Sequence, residues 1–267
     1  MNIRLLLKQI LFKLGLNVEK ISNQNDIEFF ISKFKENYKS TELIRIGGDG
    51  DGGYLLPNIL EKIKFCFSAG VGNVSNFEKE LSQKYQIKSF MIDASVNSPP
   101  EEDKNFTFIK KFLGSKTFDE FICLNDWLFQ SIKNDNSQKI LQMDIEGSEF
   151  EVLTYESAES LAQFSVMIIE FHGMQNLSNR NFLKMITAIF QKIYCNFSIC
   201  HVHPNNYSGI YNINGINIPS SVEVTFIRND FVDSFKSSSK IHLPHFLDQR
   251  TVENLPDIVM PEIWWKK

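Results

Sequence analysis

The sequence predicts an α/β protein built on a seven-stranded sheet, mostly parallel, with an antiparallel last strand and helices added at the N-terminal end. Three observations lead there. Seven short runs rich in Phe, Ile or Val lie between residues 63 and 228, several of them nearly continuous apolar stretches that suit strands covered on both faces. Three Ser/Thr-x-x-Glu boxes stand a short loop after a strand, where a capped helix would begin. The last two strands enclose a Gly/Asn/Pro-rich stretch, residues 204–221, with no helical pattern, so they read as an antiparallel pair closing the sheet.

Composition sets the outer limits. The chain has 267 residues, with 28 Lys+Arg against 32 Asp+Glu and a formal charge of −4. Hydrophobic residues make up 43% and charged residues 22%, a globular balance that excludes a disordered or collagen-like chain. The acidic balance argues against a nucleic-acid partner, which needs a basic face. Four cysteines without a CxxC pair read as reduced, buried thiols of a cytosolic protein. Zinc on Cys195 and Cys200 is not expected, because neither CxxC nor HxxxH spacing is present. No apolar run approaches the ~20 residues needed to span a bilayer.

The elements follow in order. Ile3, Leu6, Leu7, Ile10, Leu11 and Leu14 fall at helical spacing, with Arg4, Lys8 and Lys13 between them. The lysines and the lack of a small-residue cleavage site argue against a signal peptide. The default is a helix packed on the domain or on a second copy, which would make a homodimer. The alternative is a basic amphipathic helix lying on an anionic membrane, which would hold the chain at its inner face. A second helix is expected after Asn25, with Glu28 as its capping partner. The glycines of the segment from Arg45 to Tyr54 let it fold over a ligand, and Tyr54 is expected to contact the cofactor. Strands are expected at 63–68, 87–93, 106–113, 139–145, 166–171, 197–203 and 222–228. The capping boxes are Ser75 with Glu78, Thr117 with Glu120, and Ser148 with Glu151. Trp264 and Trp265 are too apolar to stand in water and should pack on the N-terminal helices or on a partner. The chain therefore divides into an N-terminal extension (1–62), a sheet domain (63–230) and a C-terminal tail (231–267).

The loop after the first strand reads Ser68-Ala69-Gly70-Val71-Gly72. Gly70 and Gly72 allow a tight turn and close approach of a ligand. Asp93, ending the second strand about 20 residues later, is placed to take hydrogen bonds from a ribose hydroxyl pair. Both NAD and S-adenosylmethionine use this arrangement. A dinucleotide loop prefers a third glycine, and Ser75 stands there instead. No Tyr-x-x-x-Lys pair accompanies it, so the methyl donor is favoured over NAD.

The fourth strand runs into Gln142-Met143-Asp144-Ile145-Glu146-Gly147-Ser148-Glu149, ending on Val152-Leu153. This resembles the K-x-D-x-E-G-x-E-x-x-V-L signature of FkbM-type methyltransferases, with Gln142 where many members carry Lys. The segment Gly50–Tyr54, the loop Ser68–Gly72, Glu170-Phe171-His172-Gly173 and His201–Asn206 are similar to a subgroup acting on sugars of bacterial surface glycans. The resemblance spans about residues 42–230. It implies a class I, Rossmann-like S-adenosylmethionine fold and O-methyl transfer to a sugar hydroxyl.

Methyl transfer needs an aligned acceptor oxygen and a group that takes the hydroxyl proton. Asp144, at the carboxyl end of the fourth strand, reads as a substrate contact, base or metal ligand. Glu146 and Glu149 read as charges meeting the start of the next helix. Glu170 and His172 lie two apart on the fifth strand and share a face. His172 is the preferred general base, because a free imidazole titrates near neutrality. His201, His203 and Asn205 are expected to bind the sugar. Asp144, Glu170, His172 and His203 together could hold a divalent ion. The denser acidic set of metal-using sugar methyltransferases is missing, so no metal is expected. The competing readings are an NAD-dependent nucleotide-sugar oxidoreductase and an inert glycan-binding subunit on the same fold.

Overall fold

A computed structural model describes residues 3–16, 18, 20–232 and 241–266. Seven strands form the central sheet: β1 (Ile63–Ala69), β2 (Lys88–Ile92), β3 (Phe106–Ile109), β4 (Gln138–Met143), β5 (Val166–Phe171), β6 (Phe197–Pro204) and β7 (Val222–Arg228). Their order across the sheet is β6-β7-β5-β4-β1-β2-β3. Strand β7 runs antiparallel to both β5 and β6, and the other pairs are parallel. The predicted fold class is therefore the observed one.

Side chains alternate between two cores because successive strand residues face opposite sides. Phe65, Phe67 and Ala69 of β1 enter one core with α2 (Gln24–Glu36), α4 (Leu124–Ile132), α5 (Glu149–Tyr155) and α6 (Arg180–Tyr194). Cys66 enters the other, beneath α3 (Asn76–Tyr85) and a hairpin of Leu43–Ile46 with Tyr54–Pro57. Residues outside 63–230 belong to both cores. Trp264 stands edge-on to Phe30 and Phe34 of α2, and its indole N–H donates to the Asn217 carbonyl. Asn206 ties the C-terminal segment down, donating to the carbonyls of Val252, Leu255 and Pro256 and accepting from the Val252 N–H.

Several local expectations change. The predicted strand 106–113 breaks at Lys110–Lys111, and Phe112–Gly114 pairs separately with Phe121–Cys123. The helix after Asn25 starts at Gln24, behind Asn23. None of the three capping boxes caps a helix through its hydroxyl. Thr117 accepts from Cys123 N–H and donates to Asp126, which fixes the turn ahead of α4. Glu78 is buried and bonds Ser68 rather than the helix start. Ser148 makes no side-chain cap, and Glu149 instead accepts from the Ile145 and Gly147 N–H groups of the turn before the helix. Real side-chain caps occur at Ser157 and Asn179. Only Cys66 and Cys200 are buried thiols; Cys123 is half-buried and Cys195 exposed. Residues 204–221, read as a loop, contain a second hairpin of Ile210–Ile213 with Ile216–Pro219.

Candidate active site

The site grows from the carboxyl ends of β1, β2 and β4. Gly70 turns the chain out of β1 with φ +83°, and its N–H donates to Ile92 O of β2. The Asp144 N–H, one residue beyond β4, donates to Ala69 O. The three strand ends are thus laced together by backbone bonds. Next to Gly70 the loop reaches Gly72, whose N–H donates to Asp93 at 2.8 Å. A β-carbon on Gly72 would meet nothing within 4 Å, so the backbone here faces open space.

That space is a cavity of about 440 Å³, lined by Gly70, Gly72, Asp93, Tyr54, Asp144 and neighbours. Its volume lies in the range of small-molecule sites. Asp93 is held by Gly72 on one oxygen and by the Ser95 N–H and hydroxyl on the other, at 2.7 and 2.6 Å. A carboxylate has about four lone-pair directions, two on each oxygen, so the oxygen bound by Gly72 keeps capacity for one further donor. The floor is a buried polar chain. Ser68 contacts both Glu78 and the Gln142 side-chain oxygen, and the Gln142 amide reaches the Tyr54 hydroxyl at 3.1 Å. Burial pushes Glu78 above the usual carboxylate range, and burial then nearby carboxylates keep the Tyr54 hydroxyl neutral.

Beside the cavity, and sharing Asp144 and Glu146 with it, lies a cluster around His172. His172 Nδ1 is 3.0 Å from Glu149 Oε1, while Nε2 faces Glu170 at 3.5 Å, Glu146 at 3.6 Å and Asp144 at 3.7 Å. Burial disfavours the charged ring, but the Glu149 hydrogen bond and the charges of Glu170, Glu149 and Asp144 outweigh it and lift its pKa to about 9. Burial, then Glu170, raises Asp144 to about 8, opposed by His172. His172 is therefore an imidazolium at neutral pH, with no free lone pair. The neutral base expected from the sequence is not what these surroundings favour. Asp144, Glu149 and His172 also bring three donor atoms within 4.8 Å of one another, so they are the described residues best able to hold a metal ion.

Raised pKa values of this kind give a stability signature. A folded-state pKa of about 9, above the ordinary 6.5, contributes stability that is complete below pH 6.5 and lost as pH rises through 9. Asp144 adds in the same direction, since its fold favours the protonated acid. Stability should therefore fall as pH rises from 6.5 to 9. His172→Gln should flatten that slope in a melting series, and an unchanged slope would contradict the assigned charge.

The remaining candidates separate. His203, Glu223 and Glu170 are direct cross-strand partners in one row across β6, β7 and β5. Asn205 donates to Glu170 at 2.8 Å, and the Ser221 hydroxyl does so at 2.6 Å, so Asn205 positions a carboxylate. His201 and His203 are buried against Asp248 of the C-terminal segment, at 2.9 and 3.6 Å. They meet that aspartate rather than the cavity. Sequence reasoning missed Asp248, which sits in a tail without periodic pattern. It also missed Glu223, whose carboxyl is pushed up by burial and then by repulsion from Glu170 and Asp248, with Arg45 opposing. A lone Glu in the apolar run Val222–Ile227 was the available signal.

A seven-stranded sheet in this order, with a glycine turn after β1 and a carboxylate ending β2, defines a class I, Rossmann-like methyltransferase scaffold. The FkbM methyltransferase domain matches residues 27–199, well over half of the chain. The protein belongs to that family. Among solved structures, a Clostridium thermocellum protein provisionally described as an rRNA methylase is similar at 8% identity and a TM-score of 0.33, covering 80% of this chain and 98% of its own. That likeness is too loose to bear on activity. No curated protein matches the chain.

Proposed function

We propose that the protein transfers a methyl group from S-adenosylmethionine to a hydroxyl of a sugar, in a nucleotide-sugar or a surface-polysaccharide precursor. The observation that carries this reading is the position of Asp144. It lines the glycine-loop cavity and meets, at His172 Nε2, the Glu170 carboxylate that Asn205 and Ser221 hold. Grouped carboxylate, amide and hydroxyl groups suit an acceptor that presents several hydroxyls.

The residues present fit the donor. Asp93 would take a ribose hydroxyl, and the open backbone at Gly72, with Tyr54 and Asp144 of the same cavity lining, would hold the rest of the donor. When bound, the donor supplies an electrophilic methyl on a positively charged sulfur. The chain's own residues hold the acceptor in line, exclude water and receive the proton. Asp144, with a pKa of about 8, is close enough to operating pH to accept that proton from the hydroxyl. His172 lies 3.7 Å behind it, and its charge stabilises the Asp144 carboxylate. Glu149 holds His172 and at the same time locks the Ile145–Gly147 turn.

Calorimetry with S-adenosylhomocysteine tests the donor. The wild type should bind, and Asp93→Asn should weaken binding by roughly 10- to 100-fold, as expected for lost hydrogen bonds to a charged acceptor. Silence with S-adenosylhomocysteine together with a thermal shift from NADH would favour the oxidoreductase instead. For the acceptor, mass spectrometry of surface glycans with and without the gene should show the loss of one CH₂ per repeat. An unchanged glycan would remove the sugar assignment while leaving methyl transfer in place.

A further inference from the structure

The helix α1 (Ile3–Lys13) is amphipathic, yet the fold leaves its apolar face uncovered. Ile3, Leu6, Leu7, Ile10 and Leu14 lie on one stripe at i, i+3, i+4 and i+7 spacing. Each of these five is 40–78% exposed, and Leu16 and Val18 continue the exposed run. None of them enters either core. Ile21 and Ser22 join the body, through a bridge to Asn179, a bond to the Ser178 carbonyl and a bond from the Asn214 side chain to the Ser22 carbonyl.

Two physical points say what covers this face. An 11-residue helix is below the roughly 12–15 residues at which isolated helices become even marginal in water, so α1 needs an apolar surface to persist. The sequence also carries Arg4, Lys8 and Lys13 before its first acidic residue, Glu19. Lys8 lies across the helix from the stripe and Lys13 at its edge, both exposed. A protein groove would more often match this face with a mixed-charge rim. Opposite the stripe the helix carries Lys8 and Gln9 with the exposed Leu5 and Phe12, and no acidic residue, so its charge is all cationic and complements a layer that is apolar below and anionic above. Among the described residues no helix is long and apolar enough to cross a membrane, so a surface-lying mode is the one available to α1.

We infer that residues 3–16 dock the protein onto the surface of an anionic lipid bilayer, with the Leu/Ile stripe among the acyl chains and the basic residues at the phosphates. The inference stands independently of the acceptor proposed above.

Co-sedimentation with vesicles of phosphatidylglycerol and phosphatidylcholine tests it. The full chain should sediment with anionic vesicles at least 10-fold more than with pure phosphatidylcholine, and 0.5 M salt should release it. Leu7→Ser/Ile10→Ser should abolish sedimentation, and Lys8→Glu/Lys13→Glu should remove the preference for anionic lipid. Both variants should keep the wild-type melting temperature and S-adenosylhomocysteine affinity, because the exposed face contributes to neither core. Equal sedimentation of wild type and the Leu7/Ile10 variant would overturn the proposal. So would a wild-type dimer that the Leu7/Ile10 variant dissolves without any vesicle binding, which would assign the face to a second copy.

Discussion

Gly70→Ala should cost the protein its fold or its cofactor site, whereas Gly72→Ala should leave it folded and impair binding alone. A β-carbon on Gly70 would overlap the Asp144 carbonyl oxygen and sit 2.7 Å from its carbonyl carbon. Relief would require separating β1 from β4, whose ends are held by the Asp144 N–H to Ala69 O bond. The φ of +83° adds strain for any L-residue. Together these effects should remove about 4 kcal/mol or more, a large share of the roughly 5–15 kcal/mol that stabilises a domain. At Gly72 the φ is +54° and the space is open, so alanine should cost only about 1 kcal/mol of strain. Its methyl would project toward the cavity and weaken S-adenosylhomocysteine. Chemical denaturation and calorimetry on the two variants separate these outcomes. Equal stability of both would refute the strand-end clamp.

Asp144→Asn should lower kcat by roughly 10²–10⁴, the range for loss of a general base, while S-adenosylhomocysteine affinity changes little. The pH profile carries the sharper test. The base must be ionised, so the rate should rise with pH through the lower step of the Asp144–His172 pair, whose two steps fall near 8 and 9. His172→Gln removes the cation that favours the Asp144 carboxylate. Its ascending limb should therefore move to higher pH, with activity partly recovered in alkaline buffer. A limb that stays in place in His172→Gln, or a wild-type Asp144→Asn rate, would remove the carboxylate from proton transfer. In that case the three donors of Asp144, Glu149 and His172 direct attention to a metal, read out by loss of activity in EDTA.

The sheet was legible because its signals are local. Continuous apolar runs, the Gly70/Gly72 turn and an Asp at the end of the next strand are properties of neighbouring residues. They survive without tertiary context. The capping boxes were legible only in part, because a Glu three residues beyond a Ser can serve the helix end or the core. Burial of Glu78 against Ser68 decided for the core. The row of His203, Glu223 and Glu170 depends on register between strands far apart in the chain. No spacing along the sequence encodes that.

The sequence by itself determined the fold class, the family signature around Asp144 and the glycine turn that faces the cavity. Only the tertiary structure decided which nitrogen of His172 is engaged, what charge its neighbours impose, and that His201 and His203 belong to Asp248. It also left the first helix uncovered. The physical reason is one of range. Strand and turn preferences act within a few residues, while protonation depends on every charge and every buried surface within several ångströms, whichever part of the chain supplies it.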